Sequence, residues 1–110
     1  MENKKLTLAL DLGTTTGWAL GPAGILSPES VTYGFMSFKT DRYSGGGMRF
    51  LRFRKWLQEM RELSGGFEAV VFEEVRRHMS TDAAHVYGGF LSHLTALCEE
   101  WDRSEEPTSE

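Results

Sequence analysis

Three acidic residues stand where acids are costly. Asp11 closes the apolar run Leu6-Thr7-Leu8-Ala9-Leu10, and Glu73 and Glu74 follow Ala69-Val70-Val71-Phe72. A carboxylate carried into an apolar strand loses hydration unless something compensates it. If two such strands run parallel and adjacent, their carboxyl ends share one edge, where open α/β sheets place ligands. Carboxylates gathered there repel one another unless a cation sits between them, and Mg²⁺ takes hard oxygen ligands of this kind. Side-chain parity separates the two glutamates. Asp11 shares a strand face with small Thr7 and Ala9, Glu73 shares one with Ala69 and Val71, and Glu74 shares one with Val70 and Phe72. Matching the smaller faces pairs Asp11 with Glu73. A plainer reading stays open at this level: Asp11 caps a turn, and Glu73-Glu74 pair with Arg76 and Arg77.

Two other features sit beside these acids. The loop Gly13-Thr14-Thr15-Thr16-Gly17 either presents amides and hydroxyls to a phosphate or makes a tight turn between strands. Lys39 to Arg61 holds seven of the twelve basic residues, against only Asp41 and Glu59. Arg49, Arg52 and Lys55 recur at three-residue spacing, which places them on one side of a helix, with Lys39 and Arg42 just before. Such a cluster near carboxylates suits a polyanion; a solvated helix face is the ordinary alternative. Arg76, Arg77 and His78 follow Glu73 directly and are better placed to touch a nucleic acid near the reaction. His85 and His93 read as ordinary helix residues.

The elements that must position these groups follow from periodicity. Leu6 to Leu12 alternates with a period of two, as does Val31–Phe38, and Trp18-Ala19-Leu20 forms a returning strand that ends at Gly21-Pro22. Three strands joined by short connections predict an antiparallel meander. After Ser44-Gly45-Gly46-Gly47 the period becomes helical. Phe50, Phe53, Leu57, Met60 and Ser64 mark one face, with Trp56 and Leu63 beside it, and Gly65-Gly66 stops the helix. Ala69–Val75 is a fourth strand. Ser80-Thr81-Asp82 supplies N-caps for a second helix, whose apolar stripe runs Ala84, Tyr87, Leu91, Leu94, Cys98, Trp101. Gly88-Gly89 inside it predicts close packing against another element. The order β-β-β-α-β-α predicts a mixed sheet with helices packed on it.

Composition narrows the class. With 110 residues, 40% of them hydrophobic, the chain affords one domain and a modest core. The net charge of −4 comes from its acidic end; without residues 99–110 there are 11 basic against 10 acidic residues. Cys98 is the sole cysteine, so an intramolecular disulfide is excluded and a reducing cytosol fits. Lys4 and Lys5 precede an apolar run that Asp11 interrupts, which argues against a signal peptide, and no stretch approaches membrane-spanning length.

Taken together, ALDLGTTTGWAL (Ala9–Leu20), the basic helix after the meander, VVFEEVRRH (Val70–His78) and TDAAHVYGGFLSHL (Thr81–Leu94) resemble the RuvC-like nucleases of phages and bacteria. These are relatives of the Holliday junction resolvases within the ribonuclease H-like superfamily. The resemblance implies a ribonuclease H-like mixed sheet over residues 1–102, lacking the fifth strand and final helix, and a disordered acidic tail over 103–110. It implies an endodeoxyribonuclease acting on branched DNA in the cytoplasm of a bacterium or phage-infected cell, with a homodimer as a further expectation. Asp11 and Glu73 would be its catalytic residues, and Asp11, Glu73 and Glu74 the carboxylates at its metal site for Mg²⁺ or Mn²⁺. Such nucleases carry further acidic or histidine ligands on the final helix, and Asp102 and the tail acids do not match it. A non-catalytic DNA-binding or dimerising module is therefore the competing expectation. DLGTTTG also resembles the first phosphate loop of actin-like ATPases and sugar kinases, but a second phosphate loop is missing, so no nucleotide is expected.

Overall fold

The computed structural model describes residues 6–22, 31–75, 77–78 and 80–105. Alternating small and branched residues build β1 (Leu6–Asp11), β2 (Thr15–Pro22) and β3 (Thr32–Ser37) as an antiparallel meander. Helix α1 (Met48–Ser64) follows, then the short strand β4 (Ala69–Phe72) and the long helix α2 (Thr81–Glu105). The sheet order is β3-β2-β1-β4, with β4 parallel to β1. The chain crosses from β3 past β1 through α1, the connection that a parallel pair requires.

One face of the sheet is buried. Leu8, Leu10 and Leu12 pack with Phe53 and Leu57 of α1 and with Tyr87, Phe90, Leu94 and Leu97 of α2. Phe38, just past β3, plugs the layer between sheet and helices, with its ring 5.5 Å from Phe53, 5.6 Å from Trp56 and 5.8 Å from Phe90. Such aromatic pairs add edge-to-face attraction to the burial itself. The other face carries Thr7, Ala9, Ala19, Tyr33 and Val71, and it stays open: Tyr33 is 76% and Val71 49% exposed.

Element ends depart from the sequence reading in instructive ways. The loop after β1 is shorter than Gly13–Gly17, because β-branched Thr15 and Thr16 already pair with β3. In α1, Leu63 is 87% exposed rather than beside the core. In α2, the buried stripe includes Phe90 and Leu97, and Leu91, Cys98 and Trp101 are only partly covered. The helix also runs three residues into the expected tail, to Glu105; residues 106–110 lie outside the described residues. Gly65, in the left-handed region at φ 86°, ends α1, where glycine alone adopts that turn without strain.

The double glycine has two different explanations. A Cβ at Gly89 would collide with the Phe50 ring, whereas a Cβ at Gly88 would meet open space. Gly88→Ala is expected to stabilise the protein by about 0.5–1 kcal/mol through helix propensity. Gly89→Ala is expected to destabilise it by about 1–3 kcal/mol through overpacking. Chemical denaturation of the two variants checks both signs.

Candidate active-site edge

The parallel register of β1 and β4 pairs Leu8 with Val70, Ala9 with Val71 and Leu10 with Phe72. The ladder stops there: Asp11 follows Leu10 as the last residue of β1, and Glu73 follows Phe72 just outside β4. On its other side Asp11 pairs with Gly17, and Gly17 with Phe35. A row Asp11, Gly17, Phe35 therefore crosses the open face of the sheet, and Glu73 follows the end of the neighbouring strand β4. Asp11 and Glu73 are exposed, and Phe35 is 78% exposed. A Cβ at Gly17 would make ordinary contact with the Phe35 ring at 3.4 Å and the Asp11 Cβ at 3.7 Å. Glu74, also exposed, falls on the alternate parity with Val70 and Phe72.

Glu73 lies just past β4, which is shorter than the Ala69–Val75 strand that the sequence suggested. The cause is a side chain from α2. The buried Tyr87 hydroxyl donates to the Glu73 carbonyl at 3.1 Å and accepts from the Val75 N–H at 3.2 Å. These main-chain groups are thus satisfied without a strand partner. Tyr87 was legible in the sequence only as one apolar position of a stripe; a phenol in such a stripe signals that its hydroxyl must find a partner.

The Gly/Thr loop divides into inward and outward parts. Thr16 is fully buried; its hydroxyl donates to the Gly13 carbonyl at 2.7 Å and accepts the Gly13 N–H at 3.3 Å. It locks the turn and does not face a ligand. Thr15 is exposed, and Gly13 and Thr14 are half-buried. The Thr14 carbonyl accepts the Phe38 N–H at 2.7 Å, and its hydroxyl accepts a hydrogen bond from the Arg49 guanidinium at 3.4 Å. The start of α1 is thereby tied to the loop that follows Asp11.

The basic residues spread from this point. Arg49 is half-buried, while Arg52 and Lys55 are exposed, because three-residue spacing turns about 60° around the helix at each step. Arg52 donates to the Lys39 carbonyl at 3.3 Å, which fastens the exposed Lys39–Arg42 loop to α1. Asp41 braces the same loop: its carboxylate accepts from the Ser44 hydroxyl and the Tyr43 N–H. Those bonds, with the Arg52 charge nearby, hold the Asp41 carboxyl below its ordinary range. Arg77 is exposed, and His78 is half-buried with its ring 5.2 Å from that of Tyr87. Arg76 lies outside the described residues. His93, expected to be ordinary, stacks on Phe50 at 5.3 Å and has its Nδ1 3.3 Å from the Arg54 guanidinium, joining the two helices.

Between the loop after β1 and the start of α2 lies a cleft of about 310 Å³, lined by Leu12, Thr14, Val75, His78, Asp82 and Tyr87 among others. It opens at the same sheet edge as Asp11. The donor chemistry of Asp11 and Glu73, two exposed carboxylates at the carboxyl ends of neighbouring parallel strands, fits a hard divalent cation that keeps much of its water shell. Among the described residues, no group of three or more His, Cys, Asp or Glu side chains converges to complete a cage.

A mixed sheet of order 3-2-1-4, with both helices on one face and an acidic carboxyl edge, defines the class: an α/β domain of the ribonuclease H-like fold. The solved structure of T. thermophilus RuvC in complex with a Holliday junction substrate shares this fold with a TM-score of 0.66. Identity to it is 16%; the match covers 87% of this chain and 59% of that protein. No protein-family profile and no curated protein sequence matches the chain. No helix among the described residues is long and apolar enough to cross a membrane.

The two threonines give a clean contrast. Thr16→Val is expected to cost about 1–3 kcal/mol, since it strips the buried turn of both bonds. Thr15→Val, at an exposed strand position, is expected to stay within about 0.5 kcal/mol of the parent. Thermal unfolding of the pair reads the difference.

Proposed function

We propose that this chain is a RuvC-like, divalent-metal-dependent endodeoxyribonuclease domain that acts on branched DNA, with Asp11 and Glu73 as its metal-holding carboxylates. The observation that supports the reading is the parallel β1–β4 ladder, which ends at Leu10 and Phe72 with Asp11 and Glu73 next along each chain, in a fold shared with a junction resolvase. Asp11 and Glu73 would hold Mg²⁺ or Mn²⁺, with Glu74 next in chain and on the alternate parity. Bound there, such an ion sharpens a coordinated water as nucleophile and draws charge from the scissile phosphate. The remaining work belongs to the chain. Arg49, fixed to Thr14, presents positive charge beside the acidic edge. Lys39, Arg42, Arg52 and Lys55 extend that charge along the flank, and Arg76, Arg77 and His78 follow Glu73, so the DNA backbone would be held from both sides.

A second reading has its own support. Among the described residues no three possible metal ligands converge, and the open face exposes Tyr33, Phe35 and Val71. Both features suit a DNA-binding or dimerising module without turnover.

Four-way junction and linear duplex DNA, incubated with the protein and Mg²⁺, decide between them. Nuclease action predicts junction cleavage that falls about 100-fold or more in Asp11→Asn and in Glu73→Gln. Cleavage unchanged in both variants excludes these ligands. Junction binding that weakens steeply with salt, without cleavage by the parent protein, establishes the second reading instead.

A further inference from the structure

The Tyr87 hydroxyl has no task in the apolar stripe. The ring alone fills the core, packed among Leu10, Leu12 and Phe90 and 5.2 Å from the His78 ring. Yet the hydroxyl is drawn into a two-sided clamp, with the Glu73 carbonyl at 3.1 Å and the Val75 N–H at 3.2 Å. These two groups flank Glu74, so the clamp fixes the backbone torsions between them in a segment that has left the sheet at Phe72. Both partners are main-chain atoms, so substitutions at 73 or 75 leave the clamp available. The base of the clamp is rigid as well. Tyr87 lies in the first turns of α2, whose start is fixed where the Ser80 hydroxyl accepts the Ala83 N–H at 3.0 Å.

We propose that Tyr87 is the positioning residue of the carboxylate pair: its hydroxyl holds the Glu73 backbone where the chain leaves β4, next to the strand that carries Asp11. The proposal rests on the reading that Asp11 and Glu73 hold one divalent ion together. Without the hydroxyl, the segment after β4 must be ordered at the moment of metal binding, and that entropy is taken from affinity.

Tyr87→Phe keeps the ring and removes only the clamp. The Val75 amide is expected to exchange about tenfold faster in this variant. Mn²⁺ alone, titrated by electron paramagnetic resonance, is expected to bind about three- to tenfold more weakly than to the parent. The Mg²⁺ concentration for half-maximal junction cleavage should rise by the same factor. Leu97→Val, a core change remote from the edge, serves as control: it should lower the melting temperature and leave Mn²⁺ affinity unchanged. Equal Mn²⁺ affinity in Tyr87→Phe and parent overturns the proposal, as does an equal loss in Leu97→Val, which would mark general softening. If the parent binds Mn²⁺ but cleaves no junction, the nuclease reading falls and the Mn²⁺ comparison still decides Tyr87. If the parent binds no Mn²⁺, both fall.

Discussion

The parallel ladder between β1 and β4 is the constraint on which everything else hangs. It joins residues 62 positions apart in sequence, and its register, Thr7 with Ala69 through Leu10 with Phe72, sets the parity of every side chain on both strands. A slip of one residue would move the whole apolar set to the wrong face. Leu8 and Leu10 are buried at 0% and 4% exposure, so the core enforces this register. The same register that buries the leucines carries Asp11 to the opposite face, at the strand end beside which Glu73 leaves β4. Core packing and the candidate site are two faces of one ladder.

The rest of the molecule defends that arrangement. Phe38 and the α1–α2 aromatic cluster close the helix-covered side. The Thr16 hydroxyl locks the turn that follows Asp11, and Arg49 ties the same turn to α1. From the other side, Tyr87 fixes the chain just after β4. Each device acts on backbone immediately beyond a strand end, where the sheet ceases to determine conformation.

Much of this was legible in the residues. Period-two alternation locates β1 and β3, helical spacing locates α1 and α2, and the order of elements predicts the parallel neighbours whose carboxyl ends lead to Asp11 and Glu73. What could not be read depends on tertiary partners. The exposure of Leu63 turns on which way α1 faces, and the early end of β4 on a hydroxyl fourteen residues away. Gly88 and Gly89 look alike in sequence, yet only the second meets the Phe50 ring. The Gly/Thr loop allows either a phosphate cradle or a tight turn, and the burial of Thr16 makes its hydroxyl part of the turn. The Arg54–His93 contact was invisible because it joins two helices.

The central claim is that Asp11 and Glu73 act on one cation together, and Mn²⁺ affinity across a double-mutant cycle tests it most directly. Asp11→Asn and Glu73→Gln should each weaken binding about tenfold or more, the double variant should lose little beyond either, and Glu74→Gln should bind as the parent does. Parental affinity in either single variant, or losses that simply add, would contradict the shared site.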